Sequence, residues 1–321
     1  MKKILISAGG TATAWHITNL INQYFKDDFE IHICDINDNY LIPASTLCYK
    51  FHKVPKITDT NYIEEMLKLM ENEEIDIFVP LIDFDLEIFP KDSKELKKIN
   101  VFSTAPELNT TLVLSNKKKL EDFLKYNNLP YVPSVKIANI KKDKEYVLKP
   151  IQGFGSRGVE VKKGYEINNI SEDFIIQEKC EPTEITAEVF NGEKLYIFLR
   201  QRVEVKSGVC TKMVPMRNDM IEKTIKKLVN LIEMPTAFCI QFMKYEEEWK
   251  IIDCNLRLGA GTALSTSIGF QLTRAFLATL CNKVVKDEWF AYNKDVKAVL
   301  RVYKEINMYD NNIWFRRYSH W

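Results

Sequence analysis

The chain has 321 residues, which at roughly 150 per domain makes about two domains and leaves ample material for a buried core. Lys and Arg number 45 against 44 Asp and Glu, a net charge of +1, and that balance argues against nucleic acid as a partner, because such binders carry a basic excess. At 46% hydrophobic the chain is too apolar for intrinsic disorder, while no apolar run reaches the roughly 20 residues that span a bilayer.

The first hundred residues alternate strand-like and helix-like stretches. Residues 3–7 (Lys-Ile-Leu-Ile-Ser) read as a buried strand rather than a signal peptide, because the apolar part is too short. Gly9-Gly10 makes a turn, residues 13–25 a helix and residues 29–35 a second strand. Residues 61–70 carry Ile63, Met66, Leu67 and Met70 at helical spacing, residues 75–80 are a third strand, and Val101-Phe102-Ser103 supplies another. Such alternation predicts a parallel sheet covered by helices.

After residue 110 the pattern changes. A helix over residues 116–126 places Leu120, Phe123 and Leu124 on one face, and Pro130 and Pro133 follow it. Strands are expected over residues 146–149, 159–162 and 174–178. Asn191-Gly192 between residues 185–190 and 194–205 is a strong hairpin signal. Helices follow over residues 220–231 and 269–280, and two strands flank Glu246-Glu247-Glu248. Strands interspersed with helices predict an α+β unit behind the α/β one. The sequence shows neither internal repeats nor low-complexity tracts.

Seven scattered cysteines without a CxxC pair argue against a disulfide scaffold or structural zinc, and favour a reducing cytoplasm. The four histidines offer no HExxH spacing.

Two segments carry candidate chemistry. The first runs from Tyr146 to Val159: a strand delivers Lys149, then a loop with Gly153, Gly155 and Gly158 returns as another strand. Glycines allow successive N–H groups to face an anion, and Lys149 adds a point charge for phosphate. No Lys-Ser or Lys-Thr follows the glycines, so this is not a P-loop; a flexible hairpin tip with an incidental lysine fits the glycines equally well. The second segment is the hairpin around Glu246-Glu247-Glu248. A turn on those three residues sets Tyr245 opposite Trp249 and Gln241 opposite Asp253. Period-two alternation then gives an apolar face of Ile252, Cys254, Leu256 and Leu258, with Asp253, Asn255 and Arg257 beside Gln241 on the other. Oxygen-bearing ligands that leave room for water and phosphate suit Mg²⁺.

These motifs resemble, in order and over roughly residues 1–300, the ATP-grasp superfamily, most closely its carbamoyl-phosphate-synthase-like branch. The resemblance implies a Rossmann-like domain over residues 1–109, an ATP-grasp fold over 110–300 with a small mobile lobe at about 134–180, and a C-terminal tail over 301–321. Lys117, in Ser115-Asn116-Lys117, looks like the family's first phosphate-contacting lysine. Lys149 with Gly153, Gly155, Ser156 and Gly158 looks like its second lysine and glycine loop. Gln177, Glu178, Lys179 and Cys180 lie on the strand that would hold adenine through backbone groups, and Glu184 stands at the ribose-binding acid. Ile251 through Arg257 resembles the family's E-x-N-x-R strand, with Gln241, Asp253 and Asn255 implied as ligands of Mg²⁺ (or Mn²⁺). Asp253 is one methylene shorter than the usual glutamate, Leu256 replaces a customary Pro, Asn116 stands where Asp is common, and no glycine precedes Glu184.

The implied activity is ATP-dependent activation of a small-molecule carboxylate as an acyl phosphate, then attack by an amine. Catalytic roles fall to Arg257, Lys149 and Arg202, the last either contacting a carboxylate or phosphoryl group or pairing with Glu204 or another acid. The small residues Gly259-Ala260-Gly261-Thr262 would admit substrate to the backbone, and Arg200 and Ser207-Gly208 resemble substrate-side elements. A nucleotide-binding adaptor with altered catalysis, or phosphoryl transfer to carbamate or carboxylate, uses the same residues. NAD is disfavoured, because Thr11, Ala12 and Thr13 follow Gly9-Gly10 and break the G-x-G-x-x-G fingerprint. The aromatic and basic residues of 313–321 suit packing on the body or a subunit contact, so a homo-oligomer stays open.

Overall fold

The computed structural model describes residues 1–153, 158–168 and 170–308. The front of the chain contributes β1 (Lys2–Ile6), α1 (Ala12–Tyr24), β2 (Phe29–Asp35), β3 (Lys50–Lys53), α2 (Tyr62–Asn72), β4 (Ile77–Val79), α3 (Asp83–Ile88), α4 (Lys94–Lys98) and β5 (Phe102–Ser103). The strands form one parallel sheet in the order β3-β2-β1-β4-β5. Ile4, Leu5 and Ile6 are all fully buried, as a strand covered on both faces requires. Ile4, Ile6 and Ile33 pack with Ile17 and Ile21 of α1, whereas Leu5, Cys34 and Phe78 pack with Met66 and Met70 of α2. Thr11 starts α1 by accepting a 3.1 Å bond from the Ala14 amide.

Two helices, α5 (Leu108–Leu114) and α6 (Lys117–Tyr126), lead to β6 (Glu145–Pro150), β7 (Glu160–Lys163) and β8 (Phe174–Glu178). These strands make a three-stranded antiparallel sheet, β7-β6-β8, over a small cluster of Tyr146, Leu148, Ile167 and Ile176.

The remaining elements are β9 (Glu184–Asn191), β10 (Leu195–Lys206), β11 (Val209–Met216), α7 (Asp219–Val229), β12 (Ala237–Tyr245), β13 (Glu248–Asn255), α8 (Thr262–Thr266), α9 (Leu272–Leu280) and β14 (Val299–Leu300). Their strands form an antiparallel sheet in the order β13-β12-β9-β10-β11-β14. The Asn191-Gly192 hairpin is present, with Leu195 opposite Asn191. On one face of this sheet lie Ile185, Ala187, Phe238 and Ile240, packed with Leu120 and Leu124 of α6 and Ile221, Ile225 and Leu228 of α7. Each buried Ile, Leu or Phe among them contributes about 1.5–3 kcal/mol. The other face shares a continuous core with the parallel sheet through Phe270, Phe276 and Leu277 beside Ile17 and Ile4.

The structure corrects the expected hairpin register. The turn uses only Glu246 and Glu247, both left-handed at φ 51° and 63°, as a two-residue type I′ turn demands. Tyr245 therefore faces Glu248 rather than Trp249. A β-bulge at Ile252 restores the register beyond it, so Gln241 still pairs with Asp253. The bulge also changes the apolar face: Ile251 is buried and Ile252 is only half-buried, while Cys254, Leu256 and Leu258 face the core as expected. β3 and β11 were not expected from the sequence. No helix among the described residues is long and apolar enough to cross a membrane.

Candidate active site

The glycine loop and the oxygen-bearing hairpin face meet in one cleft. Gln152 and Gly153 line it from the loop, Asp253, Cys254 and Asn255 from β13, Ser115 from the end of α5, and Asp83, Phe84 and Glu87 from α3. Lys149, at the end of β6, donates to Gln177 Oε1 at 3.0 Å. Burial pushes its ammonium below the ordinary lysine range, with the charge of Lys117 adding to that; Asp253, Cys180 and Glu184 pull it back up. Lys149 thus feels residues of β13 and β9 as well as its neighbours.

Lys117 opens α6. Asn116 caps that helix by accepting from the amides of Lys118 and Lys119 at 3.1 and 3.0 Å, which shows why Asn serves as well as Asp there. The Lys117 amide donates to Ile151 O at 3.0 Å and ties the helix start to the loop. Gly153 and Gly158 bracket the loop and pack on Pro150; at Gly158 the φ is +73° and a Cβ would stand 3.0 Å from Pro150 Cγ. Gly155 and Ser156, with Phe154 and Arg157, lie outside the described residues, as does the aromatic tail over 309–321.

Gln177 is buried and donates to Val132 O at 2.7 Å. The Glu178 side chain pairs with Lys144 at 2.8 Å, and Lys179 pairs with Glu145 at 2.9 Å. Those side chains are therefore engaged in holding β8 against β6, as is the Lys179 amide, which donates to Glu145 O at 3.1 Å. Burial raises the Cys180 thiol, with Lys149 opposing.

Asn255 Nδ2 donates to Asp253 Oδ2 in a long 3.3 Å bond, and Asp253 makes no ion pair among the described residues. With Gln241 directly opposite, this donor set of one carboxylate and two amide oxygens fits a hard divalent cation. Arg257 is not free: its Nε and Nη2 reach Asp83 Oδ1 and Oδ2 at 2.8 and 3.4 Å.

Arg202 pairs with Glu184, not Glu204, and its Nη2 donates to Gly208 O at 2.9 Å. Glu204 instead accepts from Thr211 at 2.6 Å and Lys212 at 3.1 Å. Arg200 is buried against Glu188 at 2.8 Å, and Ser265 donates to the second oxygen of Glu188. What approaches the backbone of the small-residue turn is arginine: a Cβ on Gly261 would lie 2.0 Å from Arg200 Nη2, and Arg301 Nη2 donates to Ala260 O at 2.6 Å. Nearby, burial drives the His16 imidazole down to about 4, with Arg301 adding to the effect.

Sequence reasoning missed Asp83, Glu188, Arg301 and His16. Only Glu188 carried a local signal, an acid in the apolar strand Ile185–Phe190; the others approach the site through folding alone. A wider groove is lined by Phe102, Pro106, Pro235 and Phe276 together with Lys2, Asp76, Lys91 and Glu233. Its Lys2 is tied to Leu280 O at 2.7 Å and its Lys91 to Glu233 at 2.7 Å.

Comparison with known proteins adds the relationships. Residues 4–103 match the PylC-like N-terminal domain and residues 114–261 the ATP-grasp domain. A tyramine–L-glutamate ligase from Methanocaldococcus fervens is 26% identical over 182 residues, 56% of this chain and 51% of that protein. The chain thus aligns with about half the length of that curated relative. N5-carboxyaminoimidazole synthetase from Staphylococcus aureus, complexed with ADP, superposes with a TM-score of 0.67 at 14% identity, covering 89% of this chain and 78% of the other. The biotin carboxylase domain of Hydrogenobacter thermophilus 2-oxoglutarate carboxylase, with MgADP and bicarbonate, gives 0.70 at 12% identity over 91% and 72%.

Proposed function

The chain belongs to the ATP-grasp superfamily, and from that premise we propose that it is an ADP-forming ligase joining a small-molecule carboxylate to an amine. The observation that carries this reading is the electrostatic reach of Asp253 to Lys149 across a cleft lined jointly by the loop and by β13. Phosphoryl transfer depends on positioning and charge neutralisation, and a lysine beside an oxygen-lined strand supplies both.

In this reading Lys117 and Lys149 hold the phosphates of ATP, helped by amides of the loop from Gly153 to Gly158. The backbone around Glu178, Lys179 and Cys180 receives adenine. Glu184 receives the ribose once Arg202 yields one of its bonds. Gln241, Asp253 and Asn255 would hold Mg²⁺ or Mn²⁺, which when bound neutralises phosphate charge. A carboxylate oxygen attacks the γ-phosphorus and ADP leaves; the amine then attacks the acyl carbon, phosphate departs, and the amine nitrogen loses a proton. Arg257 is positioned by Asp83 to face the transferred group.

The name of the Methanocaldococcus relative suggests a first substrate pair: an amino-acid carboxylate of the glutamate type and a primary aromatic amine. The test is ADP release from ATP with each substrate alone and with both. Release that requires both, with a stable amide product by mass spectrometry, supports the proposal. A stable phosphorylated product formed without amine replaces ligation with simple phosphoryl transfer. No ADP under any pairing, with nucleotide still bound, supports an adaptor instead.

A further inference from the structure

Strand pairing brings together two histidines that twenty positions separate. On β2, Glu30, His32 and Cys34 face α2; on β3, His52 lies in register with Cys34. His32 Nδ1 is 3.0 Å from His52 Nε2, and the two rings stack at 5.2 Å. Glu73, just past the end of α2, places Oε2 4.0 Å from His32 Nδ1. One atom from each of His32, His52 and Glu73 lies within 4.8 Å of the others. We propose that His32 Nδ1, His52 Nε2 and Glu73 Oε2 form a binding site for a Zn²⁺-class divalent transition metal, completed by water.

Two features point to a ligand set rather than a chance cluster. His32 Nε2 lies 3.0 Å from Glu30 Oε1, and a carboxylate there holds the proton on Nε2, leaving Nδ1 as the unprotonated nitrogen that meets His52 Nε2. That outer carboxylate is how metal-binding imidazoles are oriented and made more basic. His32 is almost wholly buried, so its ring is fixed before any ion arrives. A metal at this position takes His52 as the tautomer with its proton on Nδ1, which frees Nε2.

Lys50 occupies the other oxygen of Glu73 at 2.7 Å, which leaves Oε2 for the metal and neutralises only part of the carboxylate. Two imidazole nitrogens and one carboxylate oxygen, at about 2.0–2.2 Å from the metal, make a familiar tetrahedral zinc set with one open position. In a tetrahedral site the ligand atoms stand about 3.3 Å apart, so the two imidazole nitrogens, now 3.0 Å apart, must part slightly, while Glu73 Oε2, now 4.0 Å from His32 Nδ1, moves inward. Mg²⁺, which prefers oxygen, is disfavoured. The ion would staple the edge strand β3 to the end of α2, away from the residues of the proposed ligase cleft.

The test uses the full, untagged chain, stripped with chelator and titrated with Co²⁺ and Zn²⁺. Expected are one equivalent of Co²⁺ with the intense visible bands of a tetrahedral site, and Zn²⁺ that displaces it. The oxygen-lined cleft gives only weak six-coordinate absorption, so the two sites are distinguishable. His52→Ala should abolish the bands, and Glu73→Gln should weaken binding independently. Glu30→Gln, which touches no metal, should weaken Zn²⁺ binding about 10–100-fold. Absence of intense bands in the wild type, or identical spectra and affinities in folded His52→Ala and Glu73→Gln proteins, overturns the site.

Discussion

Lys149→Met separates the structural and nucleotide roles of one side chain. The substitution keeps most of the stem but removes Nζ, which donates to Gln177 Oε1 at 3.0 Å. Two effects then oppose each other in the protein without nucleotide. Burial holds the ammonium below its ordinary value of 10.5, so the fold binds that proton less readily than the unfolded chain does. The penalty is full below the folded pKa and fades as pH rises toward 10.5. Removing the charge at neutral pH is therefore favourable. Against this, Gln177 Oε1 loses its donor, a cost of about 1–3 kcal/mol for a buried acceptor. The melting temperature should move little. With nucleotide bound the balance changes, because a charge-assisted phosphate contact of about 1.5–3 kcal/mol disappears, which weakens ADP binding about 10- to 150-fold. Calorimetric titration of Mg-ADP beside a thermal melt reads both quantities. A folded variant with wild-type ADP affinity refutes the nucleotide assignment of the cleft.

Asp253→Asn should cut turnover at least about 100-fold, since several kcal/mol of charge stabilisation are at stake, while ADP affinity without Mg²⁺ changes little; a fully active variant removes the metal role. Asp85 is raised to about 6 by burial, with Asp83 adding and Tyr62 and Ser7 opposing. Its contribution is therefore favourable below its ordinary value of 3.8 and lost as pH rises through about 6. Asp85→Asn should consequently gain up to ~3 kcal/mol on wild type between about pH 4 and pH 7.5, and parallel urea midpoints across that range would contradict this. Gly261→Ala drives a methyl into Arg200 and should displace it from Glu188, costing about 3–5 kcal/mol for a broken buried pair; an unchanged urea midpoint would show that the turn relaxes freely.

The parallel sheet was legible because its strands are apolar on both faces and its helices follow a 3.6-residue period. β3 escaped notice because Lys50-Phe51-His52-Lys53 is mostly polar, as an edge strand tolerates. β11 was hidden by Lys212 and Pro215, residues that weaken any strand pattern, although Pro215 does sit opposite Arg200 in the ladder. The hairpin of β12 and β13 is more instructive. Alternation alone brought Gln241 opposite Asp253, yet through a three-residue turn that does not exist. Two left-handed glutamates shorten the turn and one bulged isoleucine lengthens the strand, and the two shifts cancel. Neither leaves a mark in the sequence, because Glu is an unusual residue at positive φ and a bulge has no composition of its own. The polar face survived because oxygen-bearing residues were placed beyond the bulge. Arg202 is a different case: Glu204, two positions along, is the near acid in sequence, but pairing of β9 with β10 brings another acid, Glu184, closer in space.

Asp83 ties the front sheet to the wall of the cleft. In the order β3-β2-β1-β4-β5, β1 leads to β2 on one side while β4 lies on the other, so the carboxyl ends of β1 and β4 flank the point where the chain reverses direction across the sheet. Open parallel sheets present ligand crevices there, because connections leave in opposite directions and part. β4 ends at Val79, and Asp83 begins α3 a few residues later. From that position Asp83 grips Arg257 with both oxygens, while Phe84 and Glu87 on the same short helix line the cleft opposite Gln152 and Asn255. A guanidinium held at two points cannot swing freely toward solvent, and its Nη1 donates to Leu258 O at 3.4 Å. The front sheet therefore orients the arginine that the later strand supplies, and the ion pair between residues 174 positions apart is the point at which the two halves of the chain become one site.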